Sequence, residues 1–348
     1  MSRGYGWKDE TFDFTDVSGI DCLVCHDTTG NYSKMGNSCG YPDKEVDLAA
    51  VAKGVGAPGR ANCGACHWYG GGDNGVKHGD MDDTLKNPSR AHDVHMGGRD
   101  FTCQECHTTT QHRIAGSSTT AAVSEGVVSC TDCHDKKPHN ASAPLLSQLN
   151  DHCDAIACQT CHIPRFAKAV PTVTLWDWSR GEGAAGQGTE FVPAYAWYNG
   201  THQRHLTGDP ANLQGITYLN PPNGSIDDPT AKITPYKLMN GIQPADADYG
   251  YLIVPQLFGE GYFKDFDWKA AAEKGMQAAG LRFSGNITFV RTVMHWRLNH
   301  EVVPGKSALS CLDCHHPDGV IDFKALGYEG DPVVYGSRFK GKKSVKPR

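Results

Sequence analysis

Cys63-Gly64-Ala65-Cys66-His67 sets two thiols three residues apart and an imidazole directly after the second. Cys-x-x-Cys-His is the attachment pattern of a c-type haem: the thiols add across the two vinyl groups, and the histidine is placed to ligate the iron from one side. The pattern recurs at Cys22, Cys25 and His26, at Cys103, Cys106 and His107, and at Cys130, Cys133 and His134. It recurs again at Cys158, Cys161 and His162 and at Cys311, Cys314 and His315, giving six copies that use twelve of the fourteen cysteines. With 14 Cys and 17 His in 348 residues, chance supplies roughly 0.03 copies. Zinc sites also use Cys-x-x-Cys pairs, but they need those pairs in twos and no histidine after each. Six redox-active dithiols in one chain would be equally odd. Six covalent sites for haem c are the reading that remains.

Working outward, the motifs begin at residues 22, 63, 103, 130, 158 and 311. The first five are 27 to 41 residues apart and the last follows a long gap, so organisation changes near residues 164–171. Residues 1–170 read as a haem-dense region with five motifs. Residues 171–348 read as a packing region that returns to hold the sixth, the two forming one compact unit. Gly (40) and Pro (19) are abundant, which suits loops wrapped around cofactors. The fold class expected is a multihaem cytochrome c: loop-rich, mainly α with few short strands, built around its haems. Asp47 followed by Leu-Ala-Ala-Val-Ala-Lys53 and Gly54 predicts a short capped helix, and residues 267–280 predict the longest one. Residues 251–254 and 287–290 are candidate strands.

A net charge of −6 gives no reason to expect nucleic acid as a partner. The basic residues Lys340, Lys342, Lys343 and Lys346 read as a solvated tail. No run of eighteen apolar residues encodes a transmembrane helix. The opening residues also lack a signal peptide's apolar stretch. Haem attachment normally follows export, so a periplasmic or other extracytoplasmic location is expected, with the signal absent from this sequence.

Eleven histidines remain after the six in the motifs, enough to close the second axial position of most haems. Two strong axial ligands favour electron transfer over substrate chemistry. The favoured second ligands are His78, His95, His112, His139, His152 and His300. Five of them lie within about 20 residues of a motif, and His300 lies eleven before the last. His92, His202, His205, His295 and His316 come second. Cys39 and Cys153 stand outside the motifs; an oxidising compartment would permit a disulfide between them, but nothing in the spacing demands one.

Several stretches resemble the octahaem tetrathionate reductase family of multihaem cytochromes c. They include Gly4-Tyr5-Gly6-Trp7-Lys8-Asp9, Val76-Lys77-His78-Gly79-Asp80 and Asp93-Val94-His95-Met96. Trp176-Asp177-Trp178-Ser179, Trp197-Tyr198-Asn199-Gly200, Asn299-His300 and Leu326-Gly327-Tyr328 with Asp331-Pro332 extend the likeness nearly end to end. The resemblance implies a periplasmic, closely stacked haem array in which one haem carries a lysine as distal ligand, and Lys77 occupies the matching position. A lysine must shed its proton to bind iron, which desolvation and the metal can arrange. It is also displaced more easily than a histidine held by an outer hydrogen bond. Two departures stand out. The family has eight haem motifs, and the two expected ahead of Gly4, with the catalytic cysteine and asparagine beside them, are not in this sequence. Val173 stands where related sequences often carry a lysine.

Two functions follow. In one, the chain transfers electrons from a quinol- or cytochrome-linked donor to a small inorganic anion. That anion is tetrathionate or, alternatively, nitrite, with neutral hydroxylamine as a further alternative substrate and Lys77 as the catalytic residue. In the other it is an electron conduit with no substrate site of its own. The absent motifs imply that Lys77 is an orphan in a vacant pocket beside Tyr5, Trp7 and His78.

Overall fold

The computed structural model describes residues 21–34, 41–70, 72–116, 126–140, 142–181 and 183–338. Residues 4–9, Cys39, Lys340, Lys342, Lys343 and Lys346 lie outside the described residues.

Each Cys-x-x-Cys-His sits on or at the end of a short helical turn, and in four of the six a polar side chain directly before the motif caps that turn. Helix Cys22–His26 starts at Asp21, whose Oδ1 accepts the Leu23 N–H at 2.9 Å. Helices Cys130–Cys133 and Cys311–Cys314 begin with reciprocal capping boxes, Ser129 with Asp132 and Ser310 with Asp313. In both, the aspartate is a variable residue between the two cysteines, so one residue type caps the turn that presents the thiols. The 3₁₀ turn Cys103–Glu105 uses Thr102 and Glu105 the same way. Helix Leu48–Lys53 is capped by Asp47 and helix Trp268–Ala278 by Asp267, as their sequences predict.

The multihaem cytochrome c fold is as expected, but the expectation of a mainly α chain with few short strands is met only in part, because two of the strands are long. A hairpin of β1 (Thr109–Thr110) and β2 (Arg113–Ile114) lies in the haem-dense region. The others are β3 (Thr172–Asp177), β4 (Gly183–Gly188), β5 (Ala194–Tyr198), β6 (Ile216–Tyr218), β7 (Lys232–Asp246) and β8 (Ile287–Arg297). They form one six-stranded mixed sheet in the order β4-β3-β7-β8-β6, with β5 also on β7. β7 is 15 residues long and pairs antiparallel with β8 from Tyr236↔Arg297 to Asp246↔Ile287. Its sequence hides it: Pro235, Gly241 and Pro244 interrupt the run, and burial on both faces removes the alternation that marks a half-exposed strand. Of the two candidate strands, residues 287–290 open β8, whereas Tyr251 and Leu252 make only isolated bridges.

Among the described residues, apolar packing is divided among three small clusters. Trp197, Ala231, Ile233, Ile321 and Leu326 form one; Ile163, Phe166, Ala167 and Leu298 another; Ile253, Ala272 and Met276 the third. No one of these is a domain-sized core, as expected where protein packs on macrocycles. The sheet holds the haem helices directly. Ala157 N donates to Ile233 O at 2.9 Å and Thr160 Oγ1 to the same carbonyl at 2.8 Å, fixing helix Cys158–His162 to β7. Beyond β8 the chain runs back along the motifs, with Val303 N on His162 O (2.9 Å) and Leu309 N on Cys161 O (3.0 Å). Among the described residues no helix is long and apolar enough to cross a membrane.

Candidate haem-binding site

Among the described residues four pairs of histidine rings face each other. His26 faces His112 at 6.0 Å between ring centroids, His95 faces His134 at 6.1 Å, His152 faces His315 at 6.2 Å and His107 faces His300 at 6.4 Å. Every pair joins one motif histidine to one outside the motifs. Two metal–nitrogen bonds of about 2 Å, plus about 1 Å from each nitrogen to its ring centre, put the centroids roughly 6 Å apart. The residues therefore fit an iron held between two imidazoles. Among the described residues no three His, Cys, Asp or Glu side chains converge as a zinc site requires.

The outer nitrogens are arranged for the same purpose. His26 Nδ1 lies 2.8 Å from Gly56 O, His107 Nδ1 3.3 Å from Ala115 O, His315 Nδ1 2.7 Å from Asp331 Oδ1 and His300 Nδ1 3.3 Å from Asp80 Oδ2. An acceptor at Nδ1 keeps the proton there and leaves Nε2 to the metal. Asp80 is almost wholly buried and also accepts the backbone N–H of Asn299 (2.7 Å) and of His300 (3.0 Å). Burial would raise its pKa, but the hydrogen bond and charge of His300 hold it down to about 2.

The attachment cysteines adjoin one another in chain order. Cys25 has Cys63 and Cys66 as electrostatic neighbours, and Cys63 is within hydrogen-bonding reach of Cys103. Cys106 neighbours Cys133, Cys130 is within hydrogen-bonding reach of Cys158, and Cys161 neighbours Cys311 and Cys314. Macrocycles held by these thiols would follow one another from the first motif to the last.

Comparison with known proteins agrees. Residues 173–318 match the family described as bacterial cytochrome c, and residues 89–167 match the family of cytochrome c7 and related cytochromes c. An octahaem cytochrome c from Shewanella oneidensis is 42% identical over 94% of this chain and 80% of its own, with a TM-score of 0.83. The chain belongs to the multihaem cytochromes c. No protein of curated function matches it.

The remaining candidates fall into two groups in this cytochrome. His139 neighbours His162 electrostatically and is pinned through its backbone, N–H to Asn150 Oδ1 and C=O to Asn150 Nδ2, both 3.0 Å. Its Nδ1 is buried with no hydrogen-bond partner among the described residues. His78 faces no motif histidine among the described residues; it packs edge-on against Trp296 at 4.7 Å, and burial pushes its pKa down to about 4. Lys77 Nζ lies over the same indole, 4.9 Å from its centroid, and burial lowers its pKa too. It has no carboxylate partner among the described residues. Cys153 is a free thiol whose Sγ donates to Leu149 O at 3.5 Å.

Lys237 was invisible from sequence and organises this corner. It is fully buried on β7, and its Nζ donates to Val76 O (2.6 Å), Lys77 O (3.0 Å) and Thr172 Oγ1. Gly79 completes the turn with φ +82, where an added Cβ would meet Phe166 at 3.0 Å and Thr172 Oγ1 at 3.1 Å. Asp80 and Asp331 did have a signal, since both stand in quoted motif stretches, but their role is set by contacts distant in sequence. Val173, which brings no charge, is itself buried; the buried amine of this corner, Lys237, comes from the adjoining strand.

Proposed function

We propose that the four facing histidine pairs are axial ligand pairs and that the chain carries electrons along its haem row to a small sulfur or nitrogen oxyanion near Lys77. Bound haem supplies reversible one-electron chemistry; the protein sets which positions are closed. The observation that carries this reading is the contrast between the histidine pairs, each with at least one member held by an acceptor at its outer nitrogen or through its backbone, and Lys77. The Lys77 amine is half-buried, lacks a carboxylate partner among the described residues and rests on the Trp296 face, and the Lys77 carbonyl is clamped by Lys237. Desolvation lowers the cost of the neutral amine, the form that can bind and leave a metal, while the protonated amine can give its proton to an arriving anion. Tetrathionate would accept two electrons into its central sulfur–sulfur bond and leave as two thiosulfates. Extracytoplasmic placement and a quinol- or cytochrome-linked donor belong to the same proposal.

The conduit reading is favoured by a separate observation, the contiguous order of the motif cysteines. One experiment separates the two: anaerobic mixing of the reduced, matured chain with tetrathionate, nitrite or hydroxylamine, following haem reoxidation. Reoxidation abolished by Lys77→Met supports oxyanion reduction at this site. No reoxidation by any of the three, with rapid reoxidation by a ferric cytochrome, leaves the conduit.

A further inference from the structure

We infer that the haem carried by Cys22 and Cys25 has a releasable second ligand, His112, and accepts a small neutral diatomic molecule in its place. The inference rests on reading the His26–His112 pair as axial. His112 sits at the tip of the β1–β2 hairpin, whose two central residues are Gln111 at φ 50 and His112 at φ 64. A two-residue turn with both φ positive is the type that Asn-Gly adopts without strain; Gln-His occupies the left-handed region at a cost for each residue. The flanking ladder is minimal, with only Thr109↔Ile114 and Thr110↔Arg113 paired and all four residues exposed. A two-stranded ribbon of this kind is marginal by itself. Among the described residues no hydrogen bond holds the His112 side chain, which leaves its place opposite His26 as the contact that keeps the ring there.

The other members of the four pairs are held differently. His300 is tied through its backbone and ring to buried Asp80. The His95 N–H donates to Asp93 Oδ1 at 2.9 Å, with Asp93 itself buried. His152 ends the helix Pro144–His152. On the opposite side of the Cys22–Cys25 site, His26 lies in a capped helix with Nδ1 on Gly56 O. When this pair opens, the iron–His112 bond is the one that breaks and the iron–His26 bond the one that stays. Asp21 and Asp27 flank that helix at its two ends. Asp21 is paired with Lys34, so that cation is not left free there to hold an anion, and the reduced iron would favour a neutral π-acceptor such as carbon monoxide as the ligand class. The exchange is a substitution with no electron transfer: one iron–nitrogen bond breaks as one iron–carbon bond forms.

The test measures carbon monoxide uptake by the reduced, matured chain, with electron paramagnetic resonance of the oxidised chain in parallel. Wild type is expected to take up carbon monoxide at the haem of Cys22 and Cys25, whatever a haem beside Lys77 also takes up. Gln111→Asn, which relieves the turn, slows that uptake about fivefold. His112→Ala creates one new high-spin ferric signal and abolishes the slow opening step, so uptake at that haem becomes concentration-limited. A new high-spin signal in His112→Ala with no uptake by wild type overturns the releasable ligand while leaving the pairing intact. No change in any ferric signal in His112→Ala overturns the pairing and the inference with it. Uptake that neither variant alters assigns the open haem elsewhere and also overturns the inference.

Discussion

Replacing Lys237 by Met leaves the β7 backbone and the side-chain volume nearly unchanged while deleting three donated hydrogen bonds. Val76 O, Lys77 O and Thr172 Oγ1 all lose their partner in a dry site. Lost partners of this kind cost about 1–3 kcal/mol each. Against this stands the cost of the buried amine: burial pushes the Lys237 pKa from 10.5 down to about 7, with Asp80 opposing the shift. In the unfolded chain the lysine binds its proton up to its ordinary pKa, so between pH 7 and about 10 the unfolded state holds more protons than the native state. Wild-type stability therefore rises with pH over that window. Integrating the proton difference from pH 7 to pH 9 gives roughly 2 kcal/mol. At pH 7 the lost bonds and the relieved burial nearly cancel, and Lys237→Met should change stability little. At pH 9 the same variant should be less stable than wild type by roughly 2 kcal/mol more than at pH 7. Guanidinium unfolding of both matured proteins, followed by far-ultraviolet circular dichroism at several pH values, measures this difference. Parallel stability profiles for the two proteins would refute the account of Lys237 as a buried, partly neutral clamp.

Gly79→Ala forces a Cβ against Phe166 and Thr172 at a left-handed φ. It should lower unfolding free energy by about 2 kcal/mol or more in the same denaturation assay. Asp331→Asn removes the charge opposite His315 Nδ1, 2.7 Å away. A less basic imidazole stabilises ferric iron less, so one haem's midpoint potential should rise in a spectropotentiometric titration.

Much of the site was legible because its chemistry is local. Six motifs announce the attachment thiols and their neighbouring histidines within five residues each, and Asp47 and Asp267 announce their helices within one turn. The second ligands are another matter. Proximity in sequence suggests joining His300 to the motif that follows it, yet its ring faces His107, and the ring opposite His315 is His152. Partners set by the return of the chain beyond β8 leave no spacing to read. The β7–β8 ladder was hidden for a related reason, since burial on both faces erases the alternation a half-exposed strand would show. Lys237 looked like any solvated lysine; only the approach of residues 75–79 to β3 and β7 makes it a buried donor.

The pairing of motif and non-motif histidines is tested most directly by near-infrared magnetic circular dichroism of the oxidised, matured His300→Met chain. The pairing predicts that one haem, the one carried by Cys103 and Cys106, changes from two imidazole ligands to one imidazole and one thioether while the others keep their signatures. A spectrum identical to that of wild type would contradict it.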